Sequence, residues 1–135
     1  MKISNSVFIC FILFVTPMVS YGQNTESHIL DGTEVEYTYP DEGTVVVTFY
    51  DGLVKFNWIA GPFSGASGSD FIYRARQIAE GEFFVNWHES STQDFVNLLI
   101  NFNTGKVYGS ALLRYATENE SIIFDAAEIQ RADRP

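Results

Sequence analysis

Two short stretches of the chain hold side chains whose types and spacing could do chemistry. The first is Tyr37-Thr38-Tyr39. Residues two apart on an extended strand share a face, so both phenols would point the same way. If that face is an interior, two hydroxyl donors reach into it, suited to holding a carboxylate or carbonyl oxygen. If it is not, the rings pack and the hydroxyls stay at the surface. The second stretch is Phe83 to Glu89 (FFVNWHE). Phe83, Val85, Trp87 and Glu89 share one parity; Phe84, Asn86 and His88 share the other. A carboxylate that follows Trp87 into an apolar interior has its pKa raised by burial and can donate a proton near neutral pH. The other placement ends the strand at His88 and leaves Glu89 as a rim charge. The parity that brings Glu89 inward turns His88 outward.

Other chemistries find little support. His28 and His88 are the only histidines, without paired spacing, so no zinc site is expected. There is no Asp-rich calcium loop, no phosphate-binding P-loop and no G-x-S-x-G elbow. Gly61, Gly65 and Gly68 lack the strand-to-helix context of a phosphate cradle and read as backbone bends. No metal and no cofactor is expected. Asn119-Glu120-Ser121 matches a glycosylation sequon and is read as chance.

The elements that would position these groups are short alternating runs. Val45, Val47 and Phe49 alternate with Thr44, Val46 and Thr48, a strand period. Asp51-Gly52 then supplies the positive φ of a tight hairpin, and Val54, Phe56 and Trp58 share a face of the returning strand. GPFSGASGSD, residues 61–70, reads as a loop or a glycine-kinked strand. Further runs cover Glu34 to Tyr39, Phe71 to Ile78, Glu82 to Glu89, Asp94 to Phe102, Val107 to Tyr115 and Ser121 to Ile129. Phe124 to Arg131 also allows a short helical turn. About eight strands at this spacing predict an all-β fold, a small antiparallel barrel or a sandwich. A barrel of that size has an interior just large enough for side chains or one small ligand.

Residues 1–22 read as a secretory signal peptide. Lys2 precedes the apolar run Val7 to Val15, Pro17 breaks it, and Ser20-Tyr21-Gly22 offers small residues for cleavage. The run is shorter than the ~20 residues a membrane span needs. The lone cysteine, Cys10, would leave with the signal. The expected domain is residues 23–135, secreted or periplasmic and free of thiols. Losing Lys2 takes the formal net charge from −9 to −10. Such a charge repels nucleic acid and anionic lipid heads, so neither is an expected partner.

Taken in order, the two stretches resemble the phenolic acid decarboxylases, which are lipocalin-like barrels. That family has a Tyr-Thr-Tyr, a hairpin, a glycine-containing strand with an essential Arg, and a G-x-x-x-V-x-W-x-E strand with the catalytic Glu. The matching stretches here are Tyr37-Thr38-Tyr39, the hairpin at Asp51-Gly52, and Gly81 to Glu89; Val107 to Leu113 (VYGSALL) is similar to a later strand. The resemblance implies that Tyr37 and Tyr39 hold a vinyl phenol acid and that Glu89 transfers a proton, without a cofactor. The chain departs from the pattern at the Arg. An ungapped count puts it at Ala66, while Arg74 and Arg76 have the parity opposite to Phe71 and Tyr73. A substrate charge left uncompensated in an apolar cavity is costly. Ser90-Ser91-Thr92 also replaces the family's Pro-Thr-Gly, and its longer C-terminal part is missing. The shorter MoaF-like domains of the same calycin superfamily are more similar. The shared pattern falls on Tyr73, Ala75, Ile78, Gly81, Val85, Trp87 and Glu89.

These readings predict a lipocalin-like (calycin) barrel that binds a small, partly apolar ligand, a hydrophobic or aromatic molecule. Tyr37, Tyr39, Phe56, Trp58, Tyr73, Trp87 and Glu89 would line the interior. One alternative is a cofactor-free decarboxylase-like enzyme with Glu89 as proton donor and Tyr37 and Tyr39 as clamp. The other is a filled-core interaction module, with a homodimer covering an outer apolar face.

Overall fold

The computed structural model describes residues 25–135. The expected signal peptide and Cys10 lie outside the described residues. Eight antiparallel strands close into a barrel in sequence order. They are β1 (Glu34–Tyr39), β2 (Gly43–Tyr50), β3 (Leu53–Ala60), β4 (Ser67–Ala79), β5 (Glu82–Glu89), β6 (Asp94–Asn101), β7 (Lys106–Leu113) and β8 (Ser121–Asp133). β8 pairs with both β7 and β1, so closure removes the unpaired strand edges that an open sheet would expose.

The alternation read from the sequence is the alternation of burial. Val45, Val47 and Phe49 are buried, and the residues between them are half-buried. Asp51 and Gly52 have φ of 47° and 76°. Positive φ at both central residues is the two-residue turn whose twist matches its strands, and Tyr50 stands opposite Leu53.

Two stretches differ from the expectation. In GPFSGASGSD only residues 61–66 form a loop; Ser67 already begins β4 and stands opposite Asn57. Phe124 to Arg131 is not a helical turn but part of β8. Ile123, Ala127 and Ile129 take the inward positions at a period of two. A strand here makes backbone hydrogen bonds on both sides, to β7 and to β1, which a helical turn would forfeit.

An up-and-down barrel sends alternate connections to opposite ends. One end carries the turns at 51–52, 80–81 and 102–105, and a short 3-10 helix (Thr25–His28) folds beneath it. Leu30, Phe49 and Tyr73 are fully buried there. The Asp31 carboxylate accepts hydrogen bonds from the Gly52 backbone N–H (3.0 Å) and the Tyr73 hydroxyl (2.8 Å). Arg134 lies 4.3 Å from the Phe102 ring centre, over the same end. The connections at 40–42, 61–66, 90–93 and 114–120 ring the other end, which is open.

Candidate functional site

A cavity of about 310 Å³ occupies the open half of the barrel. That is at the low end of the ~300–1,000 Å³ of small-molecule sites. Its wall draws on every strand except β4. The phenols of Tyr37 and Tyr39 stand on one side, rings edge to face at 5.5 Å. Tyr39 stacks at 6.2 Å on Trp58, and Trp58 meets Phe63 at 5.1 Å. This run of rings needs Gly109, because a Cβ there would collide with the Tyr39 hydroxyl. Gly109→Ala is therefore expected to cost about 1–3 kcal/mol, the usual price of overpacking, and to shrink the cavity. Urea unfolding and a crystal structure of the variant check both.

Burial raises the pKa of both phenols. At Tyr37 the neighbouring Tyr39 adds to it, and at Tyr39 the carboxylates of Glu42 and Asp125 do. Both hydroxyls stay protonated and able to donate at any physiological pH. Glu42 Oε2 is buried and has no hydrogen-bond partner.

Glu89 enters the cavity at the last residue of β5 and is only 5 % exposed. The Trp87 indole N–H donates to its Oε1 at 2.8 Å, which fixes the carboxyl's orientation. The Thr92 hydroxyl lies at the long distance of 3.5 Å from Oε2. Burial pushes the carboxyl's pKa up, the indole hydrogen bond opposes this, and the charge of Asp94 across the β5–β6 pair adds to the rise. No ion pair among the described residues includes Glu89. His88 points outward and is exposed.

The chain that builds this barrel matches the MoaF-like family over residues 22–121. The chain belongs to that family. The match spans β1 to β7, and so all of the cavity wall but Ile123 of β8. A solved structure from Burkholderia vietnamiensis, provisionally named a beta-lactamase, has the same fold at a TM-score of 0.65. It is 17 % identical over 77 % of this chain and 95 % of its own. At that identity the likeness speaks for the barrel and not for the activity in that name. No curated protein matches the chain.

In this MoaF-like barrel, Tyr37, Tyr39, Phe56, Trp58, Trp87 and Glu89 line one cavity. Tyr73 does not, which corrects its expected place. It stands opposite Trp87 in register, but side chains lean along their strand's direction, and β4 runs toward the closed end. Its hydroxyl donates to Asp31 and accepts from the Leu30 N–H at 3.2 Å. Tyr73→Phe should cost about 1–3 kcal/mol through the partners it strands, read by urea unfolding, with ligand binding unchanged.

Ala66, where the resemblance would place an Arg, lies in the wall, and Arg74 and Arg76 are exposed outside. The wall also holds Phe63, Thr92, Asp94 and Arg114, which sequence reasoning missed. Asp94 shares the parity of Val96 and Leu98 and was within reach of that argument. Arg114 follows the end of β7 at a φ of 52°, its backbone N–H donating to Asp94 at 2.6 Å and its guanidinium to Ser121 at 3.0 Å. No strand period reports such a residue. Among the described residues, no group of His, Cys, Asp and Glu is placed to hold a metal ion.

Proposed function

We propose that this MoaF-like barrel binds a small, partly apolar molecule inside its open half. One observation carries the reading: a hollow walled mainly by aromatic and aliphatic side chains, with a single buried carboxyl held in a set orientation. Convergent polar groups in an apolar hollow are the usual form of a ligand site. The chain's two tryptophans, Trp58 and Trp87, both line the hollow, so intrinsic fluorescence reports on it directly. A panel of hydrophobic dyes and small aromatic compounds should change that emission saturably. A panel without effect would remove the reading. The apolar run Val7 to Val15 supports export and work outside the cytoplasm. Fractionation and the mass of the mature chain test that.

One observation favours an enzyme as the second reading. A carboxyl with a raised pKa, oriented by Trp87 in a cavity that two protonated phenols also line, is suited to proton transfer. The substrate class would be a phenolic or related small acid, without a cofactor. Ala66 in the wall weighs against it, since the Arg that the resemblance would place there is missing, and Arg114 is exposed at the mouth with its guanidinium on Ser121. Incubation with hydroxycinnamic acids, followed by absorbance, tests the reading. Turnover equal in wild type and Glu89→Gln would remove Glu89 as proton donor.

A further inference from the structure

We infer that the ligand is a cation: a compact apolar or aromatic body with an amine head, the ammonium seated against Glu89 among the aromatic faces. This rests on the small-molecule reading above and names the charge class of that ligand. Glu89 is inside the cavity, and among the described residues no Lys or Arg pairs with it. The ionisable groups that act on it are Asp94 on the adjoining strand and, on the outer face, His88. The phenol side is also acidic, because Glu42 and Asp125 act on Tyr39 and Glu42 keeps a buried oxygen without a donor. An anionic head placed there would meet like charge in a low dielectric.

Ring faces and a carboxylate together are the means by which proteins hold ammonium groups. Tyr37, Tyr39, Trp58 and Phe63 present rings at differing tilts around one hollow. The cation–π contacts among the described residues, Lys55 on Tyr50 and Arg134 on Phe83 and Phe102, leave these four rings free. An ammonium would supply the positive partner that the buried Glu89 lacks among the described residues. Among the described residues Arg114 is the one basic side chain in the wall, but it is exposed at the mouth and its guanidinium is engaged by Ser121. Water weakens its pull on a ligand far more than it weakens that of a buried carboxylate.

The test uses three probes with one ring and different heads: 2-phenylethylamine, 2-phenylethanol and 3-phenylpropionate, titrated by calorimetry at neutral pH. The amine should bind at least tenfold more tightly than the alcohol, and the acid most weakly. Glu89→Gln, which keeps an acceptor for Trp87, should erase the amine's advantage and leave the alcohol's affinity in place. If the alcohol or the acid binds as tightly as the amine, the cation inference falls while the binding barrel stands. An acid preference lost in Arg114→Gln would assign the head group to the mouth instead. If none of the three probes and no hydrophobic dye binds, the binding reading and this inference fall together.

A separate observation lies on the outer surface. The three register rows that start at Phe84, Asn86 and His88 and run across β5, β6, β7 and β8 contain no Asp, Glu, Lys or Arg. In them Phe124 is 85 % and Ile122 70 % exposed, with Phe84, Phe95 and Tyr108 also exposed and Tyr115 at the margin. With aromatic side chains of about 150–250 Å² each, this patch offers on the order of 600 Å². A stable interface takes ~800 Å² per partner, so the patch supplies most of one side, with its margin at Tyr115 and the polar rim adding the rest. A patch at the upper end of what monomers expose is often functional.

We propose that a second copy of the chain covers this face in a two-fold dimer. Two copies this acidic repel one another over most of their surfaces, and the face without charges is where they can meet. Light scattering after size exclusion should give a dimer at micromolar concentration. Phe124→Glu, at a fully solvated position, should give a monomer that still binds the cavity dye. A wild-type monomer, or a Phe124→Glu dimer, would overturn the assignment.

Discussion

Ala111→Trp is expected to abolish ligand binding and leave the barrel folded. Ala111 sits on β7, faces the hollow, and stands between Val96 and Ile123 in register. An indole there takes up much of the 310 Å³ that a ligand would use. The loss should be at least about a hundredfold in affinity, ~2.8 kcal/mol, read by calorimetry with a compound that binds the wild type. Overpacking a filled core costs about 1–3 kcal/mol, but at this position the ring enters empty space, so the urea midpoint should hold or rise. Ala75 gives the contrast. It is buried on β4, the strand absent from the cavity wall, opposite Val85. Ala75→Trp has no hollow to enter and should lose stability by that overpacking cost or more. Binding that survives Ala111→Trp would place the ligand outside the barrel.

Local signals in the sequence carried more of the fold than of the site. The Asp51-Gly52 turn and the alternation on either side of it are set by backbone sterics and burial, and both act within a few residues. The parity of Phe83 to Glu89 is equally local, and the side chains fall as that parity requires. Parity names a face, however, and not a height along the barrel. Tyr73 and Trp87 are opposite in register, yet one belongs to the sealed end and the other to the cavity. That division depends on strand direction and on residues 28–33 folding beneath β4, a contact across more than forty positions. Arg114 was hidden for another reason: its position comes from a left-handed backbone after a strand end and from a hydrogen bond to Asp94. Phe124 to Arg131 allows a helical turn beside the strand because a short apolar run fits both periods, and only the need to close the barrel decides it.

Two substitutions of Glu89 separate its charge from its hydrogen bond. The unfolded chain ionises this carboxyl near its ordinary value of 4.5, and the folded chain does so at higher pH because the group is buried. Between those values the folded state holds the extra proton. The stability Glu89 contributes is therefore full below 4.5 and is lost as pH rises through the folded value. Glu89→Gln removes the ionisation and keeps an acceptor for the Trp87 N–H, so it should unfold at higher urea than wild type at pH 7 and at nearly the same urea at pH 4. Glu89→Leu removes the ionisation too, but leaves a buried indole N–H without an acceptor, at a cost of about 1–3 kcal/mol. The Leu variant should fall below the Gln variant by that amount at every pH. If Gln gives no gain at pH 7, the carboxyl is solvated in the folded barrel, and an ammonium would find no buried charge to meet. If Leu equals Gln, the indole has another acceptor and Trp87 does not set the carboxyl's orientation.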